Sequence, residues 1–144
     1  MANHCRLASA TAQAALNAIV DRCDTSGAGT LVIYTGAEPS YANDAAGTEV
    51  ATCALAATAY SAAAADGTNH WADADLASTA TDSSATGNAS AVTYFRLIGG
   101  DAGIVLQGTV GTSGADLNLN TTTIGAGAEV SVTSLEVRLP YRQA

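Results

Sequence analysis

The chain has 144 residues, a formal net charge of −8 and only 12% charged side chains, and it contains no lysine. This length fits one domain that buries roughly 70% of the surface of its unfolded chain. Its five arginines are scattered and form no basic stripe that would neutralise phosphates, so the composition excludes a nucleic-acid partner.

No apolar run has the length of a membrane span. The alanine-rich stretch 51–65 is shorter than the roughly 18 residues required, and Thr52, Thr58 and Ser61 interrupt it. The N-terminus shows no basic region followed by an apolar core and a cleavage site, which predicts no secretory signal. We therefore expect synthesis in a cytoplasm and no membrane partner.

Residues 1–8 are predicted to form an N-terminal arm, and the one convincing helix follows at 9–24. Apolar side chains recur there in steps of three and four and form one narrow stripe: Ala12, Leu16, Ile19 or Val20, and Cys23. Ser9 or Thr11 is the candidate cap at its start, and glycines follow where it should stop. The helix either packs against a sheet or docks a neighbouring subunit.

About eight or nine short strands are predicted after the helix, with turn residues at close intervals. These strands are β-branched, aromatic or alternating in polarity, and they lie at 30–35, 49–56, 60–65, 70–76, 89–98, 104–106, 117–120 and 129–139. A hairpin is expected across the turn 66–69, and a structureless loop at 78–88. The pattern predicts a mainly β fold, an antiparallel β-sandwich that is jelly-roll-like and carries one N-terminal helix. It forms a single domain, 9–140, followed by a tail at 141–144.

The segment 129–139 is the longest β run, and the parity of its apolar residues changes along it. Apolar side chains occupy even positions at its start and odd positions at its end. One regular strand cannot place both sets on the same face. The sequence therefore predicts either a bulge near Thr133 and Ser134 or a strand with both faces covered.

The chain has three cysteines, Cys5, Cys23 and Cys53, so at least one of them cannot form a disulfide within the chain. Either the thiols are reduced and partly buried, or at least one of them pairs with another subunit. Cys5 is the best candidate for such a disulfide, because little can bury it in the arm. The spacing of the cysteines and of His4 and His70 excludes a zinc cluster.

The segment 70–75 is the most chemically suggestive. In a strand, Trp71, Asp73 and Asp75 share one face. An exposed indole beside two carboxylates suits a bound sugar, and two carboxylates also suit an acid–base pair or Ca²⁺. Carboxylates spaced in this way are also ordinary surface chemistry that protects an edge strand from aggregation.

Motifs of catalysis are not visible in the sequence. No G-x-S-x-G elbow occurs, a serine triad would depend on His70, and no glycine cluster is followed by the lysine of a phosphate-binding loop. We therefore expect that the chain is not an enzyme and has no catalytic residue, cofactor or metal.

Several segments resemble those of a group of small structural proteins of tailed bacteriophages. They are RLASATAQAALNAIVDRCD followed by LVIYTGAEP, then SATGNASAVTYFRLI and VGTSGADLNLNTTTIGAGAEVSVTSLEVRLP, so that the likeness covers about 6–140. The resemblance implies an accessory virion component that decorates the head or builds the neck, collar or tail. Its partners would be other virion proteins and further copies of itself.

The cysteines are not part of this family pattern. In a particle released into an oxidising medium, they would serve as covalent staples between subunits. The chain is thus expected to be a non-enzymatic virion protein that is made in the bacterial cytoplasm and assembles through subunit interfaces. The alternative is a tail-associated module that recognises a glycan through Trp71 and the neighbouring carboxylates.

Overall fold

The computed structural model describes residues 7–68 and 71–141, and it confirms a mainly β fold with one N-terminal helix. Helix α1 spans Ser9–Val20 and tightens into a 3₁₀ turn at Asp21–Asp24. Ten strands follow in this part of the chain: β1 Thr30–Thr35, β2 Thr48–Ala54, β3 Ala64–Ala65, β4 Trp71–Asp75, β5 Ala80–Asp82, β6 Val92–Ile98, β7 Ile104–Gly111, β8 Leu117–Asn118, β9 Val130–Val132 and β10 Glu136–Pro140.

The strands form two sheets of unequal size in a sandwich-like arrangement. The large sheet has the order β8-β7-β6-β1-β2-β5-β9, and the small sheet has the order β10-β4-β3. The division into seven and three is less even than in an ideal jelly roll, which has eight strands in two sheets. The large sheet is curled, so that its two terminal strands, β8 and β9, come close enough to line the same cleft of about 290 Å³.

The main core contains side chains from the large sheet, the small sheet and the helix. Leu31, Ile33 and Leu97 are fully buried in the central strands, and Ala72 and Ala74 are fully buried in β4. Such small side chains let the two sheets approach closely, but each one buries little apolar area. The core therefore depends on many modest contacts.

Helix α1 packs against the small sheet through one narrow face. Its buried residues, Ala12, Leu16 and Val20, follow the predicted three- and four-residue steps. The expected cap is wrong, because Ala8 occupies the N-cap position without a side-chain hydrogen bond. Ser9 lies inside the first turn, where its hydroxyl accepts a hydrogen bond from Gln13 (Nε2···Oγ 3.1 Å). Among residues 7–68 and 71–141, no helix is both long and apolar enough to cross a membrane.

Two stretches expected to lack strand structure contain it. The segment 78–88, predicted as a loop, contains β5, which pairs with β2 on one side and with β9 on the other. Strand β7 continues to Gly111, beyond its predicted end at 106, and β8 pairs with it in parallel rather than antiparallel orientation. Both were missed because tertiary pairing overrides the weak β-propensity of alanine and aspartate in β5 and of glycine in β7.

The change of apolar parity near residue 133 marks a change of sheet. The run 129–139 is two strands, since β9 pairs with β5 in the large sheet and β10 pairs with β4 in the small one. Leu135, at the crossing, is 5% exposed, and its carbonyl accepts a hydrogen bond from the Leu76 N–H group. Because the chain passes from one sheet to the other, the apolar side chains at even and at odd positions both reach the same core.

Candidate functional site

The outer face of the small sheet carries the residues that the sequence singled out for glycan contact. Trp71 and Asp73 are half-buried and Asp75 is exposed, whereas the alternate residues Ala72 and Ala74 are buried. The three side chains therefore share one outward face of β4. His70 lies outside the described residues.

An arginine from the neighbouring strand engages the central carboxylate of this face. The Nε atom of Arg138 lies 3.4 Å from Asp73 Oδ1, and the same guanidinium contacts both carboxylate oxygens of Glu136 at 2.8 Å. Burial, and then the negative charge of Glu136, raise the pKa of Asp73 against the opposing effect of Arg138. The Arg138 charge is thus divided between two carboxylates, and Asp73 Oδ1 is a buried oxygen without a hydrogen bond.

This arrangement provides a half-exposed indole beside a charged hydrogen-bonding group. An indole face and a carboxylate are the elements from which sugar contacts are built, as the sequence suggested. In the part of the chain that the structure describes, no three histidine, cysteine or acidic side chains are placed to hold a metal ion together.

Cys23 and Cys53 are free thiols that lie inside the main core. Neither has any accessible surface. Burial, with a smaller effect of a nearby aspartate, raises the pKa of each thiol to about 11. A buried, protonated thiol does not suit the expected disulfide with another subunit, because it reaches no partner unless the core opens. Cys5, the third candidate, lies outside the described residues.

A second cluster, on the outer face of the large sheet, was not recognised in the sequence. Tyr34 and Tyr94 are cross-strand partners whose rings stack with centroids 5.1 Å apart and planes 12° apart. Arg96 is only 3% exposed, and its guanidinium carbon lies 5.8 Å from both ring centroids. This is the geometry of a cation–π contact with two rings. The shared parity of Tyr94 and Arg96 was the one signal that could have revealed it.

This cluster holds the loop between β1 and β2 against the sheet. Arg96 donates to the Asp44 carbonyl (2.9 Å), and the Tyr94 hydroxyl accepts from the Gly47 N–H group (2.6 Å). The Gln107 amide donates to the Pro39 carbonyl (2.7 Å). A buried arginine is thus compensated by main-chain and side-chain oxygens and by aromatic faces, and the same contacts fix the loop.

A third feature is the side of the sandwich where the two sheets remain apart. Strands β7 and β10 line a cleft of about 240 Å³ there, with Leu106 and Val137 among its apolar residues and Asp116 and Arg138 among its charged ones. Leu106 and Val137 are half-buried and pack against the core from this side. The cleft is therefore continuous with the core and opens between the edges of two sheets.

Comparison of the chain with protein-family models, with curated proteins and with solved structures found no match.

Proposed function

We propose that this chain is a non-enzymatic structural component of a tailed-phage virion, a neck, collar or head-decoration protein that assembles through subunit interfaces. Its motifs resemble those of such proteins, and its fold offers surfaces that suit contacts with other chains.

The observation that carries the proposal is that polar side chains bond to the backbone of other parts of the chain. Four of them accept hydrogen bonds at 2.7–2.9 Å from backbone N–H groups of other elements: Asn17 from Ala63, Asp24 from Ala59, Asp82 from Thr52, and Asp116 from Thr109. Each bond joins two segments of the chain. Three of them, to Ala63, Ala59 and Thr52, are part-buried, where an unpaired N–H group is costly, whereas the bond to Thr109 is exposed. Polar groups used in this way make a rigid scaffold, which is what a particle component requires.

The test is the presence of the chain in purified virions. We expect peptide mass spectrometry of gradient-purified particles to detect it in a fixed ratio to the major capsid protein. Excess free chain mixed with particles that lack its gene and then re-purified provides the control for adhesion. Recovery of the chain solely from the unassembled fraction of the lysate would contradict the proposal.

A disulfide between subunits is proposed only through Cys5. Non-reducing electrophoresis of intact particles should show a band above monomer mass that collapses with reductant. Cys5→Ser should abolish that band, whereas Cys23→Ser should leave it unchanged because the Cys23 thiol is buried.

A glycan-binding module is the second candidate, and the shared outward face of Trp71, Asp73 and Asp75 favours it. Trp71 is the one tryptophan of the chain, so intrinsic tryptophan fluorescence reports on this face alone. Quenching by a cell-surface glycan that Asp73→Asn weakens would support the module. An unchanged spectrum across a panel of host glycans would eliminate it.

A further inference from the structure

Most of the outer edge of β7 has no strand beside it among the described residues. Strand β6 pairs with one side of β7 from Ile104 to Thr109, with a bulge at Val105, but β8 covers the other side only at Val110 and Gly111. The uncovered edge, residues 104–109, spans roughly 20 Å at the rise of an antiparallel strand. That is long enough to pair with another extended segment.

The direction of the free peptide groups on this edge follows from one hydrogen bond. The Thr109 N–H group donates outward to the Asp116 carboxylate (2.8 Å), in the turn that leads to β8. Since peptide groups of an antiparallel strand alternate in direction, the N–H and C=O of Gln107 point to the same outer edge. Asp116 therefore closes one end of the edge, and Gln107 presents pairing groups next to it.

The uncovered edge is adjacent to half-buried apolar surface. Ile104, Val105 and Leu106 all retain exposure, and Leu106 faces β10, the terminal strand of the small sheet, across the cleft of about 240 Å³. Edges of this kind are usually protected by charge. Here the whole of β7, IVLQGTVG, contains no charged residue, although the chain as a whole has a net charge of −8.

Opposite charges lie at the two ends of this edge. Arg22, whose side chain is half exposed, forms an ion pair with Asp101 (2.9 Å) in the turn that precedes β7. Asp116 lies at the other end, beside Thr109. If two copies of β7 pair in antiparallel orientation about a two-fold axis, Arg22 of each copy approaches Asp116 of the other. In this arrangement each Arg22 would lie between Asp101 of its own copy and Asp116 of the other, so that one guanidinium bridges two carboxylates at each end.

We infer that β7 is a dimerisation edge, on which β7 of a second copy pairs antiparallel and joins the two large sheets into one. The inference rests on the proposed structural role, because it names the surface and the partner through which the chain self-associates. The pairing is isologous, so it closes at two copies and leaves β9, at the opposite end of the sheet, for other contacts.

The test is sedimentation velocity of the purified full chain over a concentration series. We expect a monomer–dimer equilibrium that Val105→Lys weakens at least about tenfold, since it adds a positive charge to the uncharged pairing edge of each copy. Ser131→Lys adds the same charge to β9 and should leave dimerisation unchanged. Circular dichroism confirms that each variant is folded.

A second pair of variants keeps the inference testable if Val105→Lys does not fold. Arg22→Glu should weaken the dimer, because it places a carboxylate next to Asp116 of the other copy. Asp101→Asn is the control: it breaks the same ion pair within the chain and should leave the dimer unchanged. A wild-type chain that stays monomeric, or dimers unaffected by either Val105→Lys or Arg22→Glu, would overturn the inference. Absence of the chain from virions would overturn the proposed function alone, since the dimer is measured on the isolated chain.

Discussion

Arg96 shows at the scale of one residue how this chain accommodates a buried charge without a carboxylate directly beside it. Its guanidinium contacts two tyrosine rings and the Asp44 carbonyl, and the Gln107 side-chain oxygen lies 3.4 Å from its Nε atom. Hydrogen bonds to a charged group contribute more to stability than neutral ones do, and cation–π contacts strengthen as water is excluded. The arginine therefore links the stability of the sheet to the position of the loop above it.

Replacing this arginine should be costly. We expect Arg96→Met to lower the free energy of unfolding by on the order of 2–3 kcal/mol, because it removes the hydrogen bonds and both ring contacts. Arg138→Met, at an exposed ion pair, should cost much less, because water screens the charges there. Urea denaturation of both variants measures the difference, and equal losses would contradict the special role of Arg96.

The two buried thiols predict how stability depends on alkaline pH. The folded chain holds the protons of Cys23 and Cys53 up to about pH 11, whereas an ordinary thiol with a pKa of 9.0 loses its proton earlier. The unfolded state therefore binds fewer protons between these values, so stability is full below pH 9 and falls as the pH rises towards 11.

This decline should be measurable because no lysine titrates in the same range. The expected slope is up to about 1.4 kcal/mol per pH unit for each thiol. Cys23→Ala combined with Cys53→Ala should make the curve flatter between pH 9 and 10, where an unfolded thiol is more fully ionised than an unfolded tyrosine. An unchanged slope in the double variant would show that the thiols do not carry the effect.

At the scale of elements, helix α1 has one face in the core and another in solvent. Leu16 is fully buried against the small sheet, whereas Ile19, three residues along the same helix, is 38% exposed. We expect Leu16→Ala to cost about 2–5 kcal/mol and Ile19→Ala about 1 kcal/mol or less, measured by thermal or urea unfolding. A large loss at Ile19 would indicate that a second chain covers this face in solution.

The local sequence pattern was sufficient to predict those elements in which the periodic apolar residues are also the buried ones. Strand β1 was predicted at its observed bounds, and the predicted helix 9–24 comprises α1 and the 3₁₀ turn after it, since a β-branched run and apolar steps of three and four determine them locally. The short strand β5 was missed because three residues of Ala-Thr-Asp have no period of their own and acquire strand structure only from β2 and β9.

The candidate surfaces were predictable to different degrees for the same physical reason. The shared face of Trp71, Asp73 and Asp75 follows from strand alternation within one segment. The Arg96 cluster joins residues from two strands and a loop more than 50 positions apart in the sequence, so no local pattern contains it. The cleft between β7 and β10 depends on which strands end each sheet, which is a property of the topology alone.

For the whole molecule, net charge and self-association oppose each other. Each copy has a formal charge of −8, so two copies repel beyond the contact edge, and this general repulsion outweighs two ion pairs at its rim. Raising NaCl from about 20 to about 200 mM shortens the screening length from roughly 20 Å to roughly 7 Å. Dimerisation measured by sedimentation should therefore become tighter as salt is added. A dimer that weakens with salt would contradict pairing through the uncharged edge of β7.

The passage of the chain from β9 to β10 has a consequence for how a nascent polypeptide matures. The same C-terminal segment supplies a terminal strand to each sheet, and helix α1, the first element made, packs partly on β10, the last. A ribosome that has exposed only the first 129 residues therefore holds a polypeptide in which both layers are unfinished. Both sheets are therefore completed only after residue 140 has left the exit tunnel, so translation itself delays the closure of the core.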